Sequence, residues 1–230
     1  MAIEFQNILI WGRSTEEYTR MFGLTFEDIK LKILDCAGGP ASFNVEMTRR
    51  GGNVVSCDPI YKLDKSEIAQ RIQQANGEVI NALQGNPDNF VWQDIQSPNQ
   101  LLKMRKSAMQ KFLEDFPLGI QEKRYITGEL PTLPFGDRQF DLALCSHFLF
   151  MYSQHLSQEF HLASIVEMCR VAIETRIFPL LDTSGKPSPF LLPVINQLSE
   201  QGYEVEIRQA SYEFQKNGDN FLRVLRTSLN

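Results

Sequence analysis

The stretch KILDCAGGPASFNVEMTRRGGNVVSCDP, residues 32–59, decides the fold. Lys32-Ile33-Leu34-Asp35-Cys36 is a short apolar run that drops into Ala37-Gly38-Gly39-Pro40, the pattern of a buried strand ending in a tight loop. Ser42 stands where a helix N-cap belongs, with Phe43, Val45, Glu46 and Met47 in the first turns, and Gly51-Gly52 marks the helix end. Asn53-Val54-Val55-Ser56-Cys57-Asp58 reads as the next strand, stopped by Pro59. Strand, helix and strand in under about 30 residues form a βαβ unit, with parallel strands and a right-handed crossover.

The pattern continues on both sides of this unit. Upstream, Ser14-Thr15-Glu16-Glu17 has the S-x-x-E form of a capping box, and Tyr18, Met21 and Phe22 follow at helical spacing. Thr25-Phe26-Glu27-Asp28 is a second helix-start signal. Downstream, strands are expected over 124–127, 140–145, 171–178, 203–208 and 221–226, and helices over 156–170 and 190–201. Lys216-Asn217-Gly218-Asp219 predicts a turn before the last strand and an antiparallel hairpin at the sheet edge. The expected fold is α/β, a doubly wound, seven-stranded, mostly parallel sheet, with residues 1–230 forming one domain. Residues 62–123 do not fit one crossover. They hold helical stretches near 65–83 and 100–116, divided by Gly85-Asn86-Pro87-Asp88. A crossover needs about a dozen residues or a little more, so this segment is a helical insert. Its place beyond a strand end allows either a lid over a ligand crevice or an extra packing layer.

Composition narrows the function. Among 230 residues, 43% are hydrophobic and 22% charged, enough for a full core. The net charge of -5 disfavours a nucleic-acid surface. Lys103-Met104-Arg105-Lys106, the one dense basic stretch, reads as a solvated helix face. Met1 to Ile10 does not resemble a signal peptide, and no apolar run approaches the roughly 20 residues that cross a bilayer, so neither nucleic acid nor membrane is an expected partner. Cys36, Cys57, Cys145 and Cys169 lack metal-ligand spacing and read as buried reduced thiols, which suits a cytoplasmic protein. The histidines form no metal set.

Two constellations carry chemistry. The small residues Ala37, Gly38, Gly39 and Ala41 let a backbone approach a ligand, and the following helix start offers N–H groups to a carboxylate or phosphate. A tight strand-to-helix turn would need small residues as well. About 20 residues beyond the glycines, Asp58 ends the second strand, where an acid in nucleotide-binding α/β domains accepts from ribose hydroxyls. A surface Asp capping a turn before Pro59 is the alternative.

Glu129-Leu130-Pro131-Thr132-Leu133-Pro134-Phe135-Gly136-Asp137 then leads through Phe140-Asp141 into an apolar strand. From Ile33 to about Phe178 the chain resembles the class I S-adenosylmethionine-dependent methyltransferases, and within them a bacterial methyltransferase-like subgroup. The resemblance implies S-adenosylmethionine as cofactor and methyl transfer to a small-molecule acceptor. Carried over by position, it places Asp35 and the Ala37, Gly38 and Gly39 backbone along the methionine part. It puts Asp58 on the ribose, Pro59 or Ile60 on the adenine face, and Glu129 and the Leu130 N–H on the adenine edge. Cys145, Ser146 and His147 would border the methionine end and the acceptor, with His147 as the catalytic base. Arg13 and Tyr18 would close the site from the N-terminal helix. The family's glycine loop is commonly Asp-x-Gly-x-Gly-x-Gly, whereas Ala37 and Ala41 stand at its outer glycines here. An Ala is tolerated there at negative φ and strained at positive φ. Two rivals remain: a binding protein that has lost the chemistry, and a nicotinamide-dependent oxidoreductase. The latter's G-x-G-x-x-G fingerprint would read Ala37-x-Gly39-x-x-Ser42, with Pro40 inside.

Overall fold

The computed structural model describes residues 10–85 and 89–226, with the helix backbone alone over 76–85. Three sequence features fall wholly or partly outside them: the start of the Met1–Ile10 segment, most of the Gly85–Asp88 break, and the chain end beyond Arg226. The strands are β1 (Lys32–Cys36), β2 (Asn53–Cys57), β3 (Tyr125–Ile126), β4 (Phe140–Ser146), β5 (Ala172–Phe178), β6 (Tyr203–Gln209) and β7 (Asn220–Arg226). They form one seven-stranded sheet in the order β3-β2-β1-β4-β5-β7-β6. Pairing is parallel from β3 through β5, and β7 is antiparallel to both β5 and β6. The doubly wound α/β architecture and the edge hairpin read from the sequence are therefore present.

Strand period explains the core. Along β1 and β4, alternate residues enter opposite layers. Leu34, Cys36, Ala143 and Cys145 join one cluster with Ile165 and Met168 of α5 (Gln158–Val171) and Val194 and Leu198 of α6 (Leu191–Glu200). Ile33, Leu142 and Leu144 join the other with Tyr18, Met21 and Phe22 of α1 (Thr15–Phe22) and Phe43 and Met47 of α2 (Phe43–Arg49). The four cysteines are free and buried, although Cys36 stands in register beside both Cys57 and Cys145.

The capping box at Ser14 and Glu17 forms as expected. Ser42 does not cap α2. It sits in helical geometry, and its hydroxyl donates to the Arg13 carbonyl at 3.5 Å. The start signal at Thr25 yields only a short 3-10 turn, Asp28–Lys30, with Thr25 and Asp28 exchanging hydrogen bonds. The expected turn before β7 is present, with Gly218 N–H donating to the Gln215 carbonyl at 2.9 Å, but it ends a longer connection. Residues 210–219 make an excursion in which Phe90 pairs with Gln215, and the Val91 N–H donates to the Phe214 carbonyl at 2.8 Å.

The insert comprises α3 (Lys65–Gly85) and α4 (Pro98–Gln121). The two helices pack on each other, and α4 also packs on α2 and β3. Met109, Phe112 and Phe116 of α4 join Ile60, Tyr61 and Tyr125 in an aromatic-rich cluster. Arg105 corrects the reading of the basic stretch as a solvated face. It is 1% exposed, pairs with Glu17 of α1, and lies 4.9 Å from the Trp11 ring centre. The Tyr212 hydroxyl donates to the same carboxylate at 3.1 Å. The insert is thus fastened to the N-terminal helix by a buried ion pair. Leaving one partner of such a pair alone costs about 3–5 kcal/mol, whereas an apolar replacement of both is often neutral. Glu17→Leu is therefore expected to destabilise by that amount in denaturant titrations, and Glu17→Leu with Arg105→Met to recover most of it.

Candidate functional site

In the sheet order, the chain runs outward from β1 through β2 to β3, then returns to start again at β4. The switch point lies between β1 and β4, and open α/β sheets bind ligands beyond the strand C-termini at such a point. A cavity of about 450 Å³ opens there. Its wall takes Ala37, Gly38 and Gly39 from the β1 loop, Asp58, Pro59 and Ile60 from the end of β2, Glu129 and Leu130 from beyond β3, and Ser146 and His147 from the end of β4. Asp58 and Glu129 leave adjacent parallel strands, as the β2–β3 register shows.

Two residues read from the sequence are absent from the cavity wall: Cys145, which is buried in the core, and Asp35. Asp35 is 1% exposed, accepting from the Tyr18 hydroxyl and the Ser56 hydroxyl, each at 3.0 Å. The loop lies over this carboxylate: a Cβ on Gly38 would come within 2.3 Å of Asp35 Oδ2. Burial pushes the Asp35 pKa up to about 7, against the two hydrogen bonds, and nearby Asp58 pushes the same way. Asp35 therefore supports the loop from beneath.

The loop is closed on itself. Ala37 N–H donates to the Cys57 carbonyl at 2.9 Å, Gly39 N–H to Asp58 Oδ2 at 2.9 Å, and Ala41 N–H to the Gly38 carbonyl at 3.3 Å. Ser42 N–H donates to the Arg13 carbonyl at 2.9 Å. Four of the loop amides are thus spent inside the fold, whereas the Gly38 N–H and the Phe43, Asn44 and Val45 N–H groups at the start of α2 have no partner among the described residues. Asp58 holds the loop from the other side, its Oδ1 accepting from Ile60 N–H at 2.8 Å. Burial raises its pKa to about 6 against those two amide bonds. Tyr61 completes the clamp by donating to the Gly39 carbonyl at 2.7 Å.

Ala37 adopts φ 53°, the left-handed region that its position opposite a family glycine raised as a strain. His147, at the matching end of β4, is left-handed too, at φ 53°, with its N–H donating to the Phe178 carbonyl at 2.6 Å. The imidazole Nδ1 lies 2.9 Å from Ser146 Oγ. Burial, then repulsion from Arg13 and Arg105, holds the His147 pKa well below the ordinary imidazole range, so the ring is neutral at pH 7.

Sequence reasoning missed much of the remaining wall. Phe148, Leu156 and Phe160 make an apolar side, and Trp11 faces the cavity from the N-terminal segment. Lys62, Leu63 and Arg71, where the insert begins, border it as well. Trp11-Gly12-Arg13 carried the one missed signal, a glycine between two large residues. A Cβ on Gly12 would lie 1.9 Å from the Pro40 carbonyl oxygen, so only glycine lets this segment cross the loop.

No family model matches the chain. It is 33% identical over 225 residues to "Uncharacterized protein MJ0045" of Methanocaldococcus jannaschii, covering 97% of this chain and 99% of that protein. The chain belongs to the family of that archaeal protein, whereas the sequence resemblance pointed to a bacterial subgroup. Among solved structures it is similar in fold to a SAM-dependent methyltransferase from Aquifex aeolicus, with TM-score 0.44, 15% identity, and 94% of this chain and 88% of that one covered. A TehB-like SAM-dependent methyltransferase from Corynebacterium glutamicum gives TM-score 0.43 at 14% identity, with 85% and 79% covered.

Two stability predictions follow from this geometry. Ala37→Gly relieves the left-handed alanine and is expected to stabilise by about 1 kcal/mol in chemical denaturation. The proton on Asp35, whose ordinary pKa of 3.8 rises to about 7, stabilises the fold fully below the lower value. That contribution is lost as pH rises through the higher one. Asp35→Asn is therefore expected to flatten the decline of thermal midpoint between about pH 4 and pH 7. A constant offset from the wild type across that range would contradict the assignment.

Proposed function

We propose that this member of the MJ0045 family binds S-adenosylmethionine in the switch-point cavity and transfers its methyl group to a small-molecule acceptor. The observation that carries the reading is the meeting of Asp58 and Glu129, from adjacent strand ends, with the β1 loop on one cavity wall. Asp58 has given each oxygen one amide bond, and a carboxylate has about four acceptor sites. It keeps capacity for ribose hydroxyls. Exposed Glu129 accepts from the adenine amino group, the Leu130 N–H meets the ring edge, and Pro59 and Ile60 cover a face. When bound, the cofactor supplies a sulfonium-activated methyl group.

The protein's own residues orient and exclude. Phe148, Leu156 and Phe160 keep water from the acceptor side of the cavity. Burial and two guanidiniums oppose proton uptake by His147, so its role is to orient an acceptor by hydrogen bonding rather than to store a proton. In-line approach then depends on positioning, which alone is worth a large part of such a barrier. The start of the insert, at Lys62, Leu63 and Arg71, acts as a lid margin. Four buried thiols suit a reducing cytoplasm. No helix among the described residues is long and apolar enough to cross a membrane.

The Gly39 and Ala41 N–H groups, held by Asp58 and the Gly38 carbonyl, weigh against the nicotinamide reading, because a pyrophosphate draws on such loop N–H groups. Isothermal calorimetry separates the readings. S-adenosylhomocysteine is expected to bind, NAD is not, and Glu129→Ala is expected to weaken the former by about tenfold or more at unchanged thermal midpoint. NAD binding without S-adenosylhomocysteine binding would reverse the assignment. Binding without methyl transfer to a broad acceptor panel would favour a binding protein instead.

A further inference from the structure

Arg13 stands out once the loop amides are accounted for. It lines the cavity, and its position is fixed from both sides: Gly12 presses on the Pro40 carbonyl, and the Arg13 carbonyl accepts from Ser42 N–H. Yet its guanidinium is nearly idle. Nη1 donates to the Trp11 carbonyl at 3.2 Å, Nε is buried with no partner, and among the described residues Arg13 makes no ion pair.

The surrounding charges do not balance it. Glu17 is committed to Arg105 and to the Tyr212 hydroxyl. The second guanidinium, Arg105, repels Arg13, and together with burial it pushes the Arg13 pKa down to about 10. A cation placed like this is costly unless an anion meets it. A planar guanidinium with free donors matches a carboxylate in two-point geometry.

We infer that Arg13 is the anion receptor of the cavity, and that its guanidinium binds a carboxylate there. This rests on the proposed cofactor reading. Arg13 lies beside the loop, and its charge is felt by His147 at the end of β4. That location favours the amino-acid end of the cofactor as the source of the carboxylate, and a carboxylate on the acceptor is the other source. The residue sets specificity at a cost to the empty protein. A receptor of this kind differs from a structural arginine in one measurable way: removing it should not weaken the apo-protein.

The test uses the full chain, wild type, Arg13→Met and Arg13→Lys, with S-adenosylhomocysteine and 5′-methylthioadenosine as probes. The latter keeps the nucleoside and lacks the amino-acid carboxylate. Arg13→Met is expected to lower S-adenosylhomocysteine affinity about 10- to 100-fold, to change 5′-methylthioadenosine affinity less than about twofold, and to leave the apo thermal midpoint unchanged or raised. Arg13→Lys is expected to fall between. Should Arg13→Met spare both nucleosides, acetate and benzoate are titrated onto the S-adenosylhomocysteine complex. Stabilisation of wild type but not of Arg13→Met supports the receptor and moves the source to the acceptor. No difference there overturns the inference. An equal loss of both nucleosides with a lowered apo midpoint also overturns it, making Arg13 structural. If wild type binds neither nucleoside, the cofactor reading has failed and the receptor assignment falls with it.

Discussion

The Asp58 carboxylate, accepting at once from Gly39 N–H and Ile60 N–H, ties the end of β2 to the loop that leaves β1. Two backbone amides on one half-buried carboxylate hold the loop in shape, because breaking either would leave an amide without its partner. From that shape the rest follows. Gly38 must lie over Asp35, Gly39 must turn left-handed, and Tyr61 must reach the Gly39 carbonyl. The loop then forms one side of the cavity as a ledge with most of its own N–H groups satisfied.

A ledge with Gly39 and Ala41 N–H already engaged leaves part of the recognition of negative charge to side chains. In loops that leave their amides free, backbone N–H groups can meet an anion directly. Here the N-terminal segment comes to the ledge, and a side chain shares that task. The insert contributes to the same corner, since Arg105 of α4 holds Glu17 of α1 and so leaves Arg13 without its nearest acid. The added helices are therefore connected to the site electrostatically as well as by packing.

The βαβ unit, the sheet and the strand ends were legible because hydrophobic periodicity and small-residue loops are local signals. Asp58 was legible from its spacing to the glycine loop at a strand end, and Glu129 from the resemblance carried by the Glu129–Asp141 stretch. Asp35 was placed at the ligand by the family resemblance, which carries over a position but not the direction in which this side chain points. The burial of Arg105 was illegible for a related reason: a basic run looks solvated until a partner 88 positions away is known. Ser42 misled because its capping chemistry was available but the Arg13 carbonyl claimed it first.

The depressed basicity of His147 has a bearing on the acceptor. The same two arginines that favour an anion in the cavity disfavour a proton on the imidazole. A carboxylate arriving at Arg13 would cancel part of that repulsion, so ligand binding and imidazole basicity are coupled through one charge. Burial is the main cause that keeps His147 neutral, and a carboxylate ligand would offset only the smaller, electrostatic part. The N-terminal segment thus modulates, through Arg13, a residue whose neutrality the surrounding core sets first.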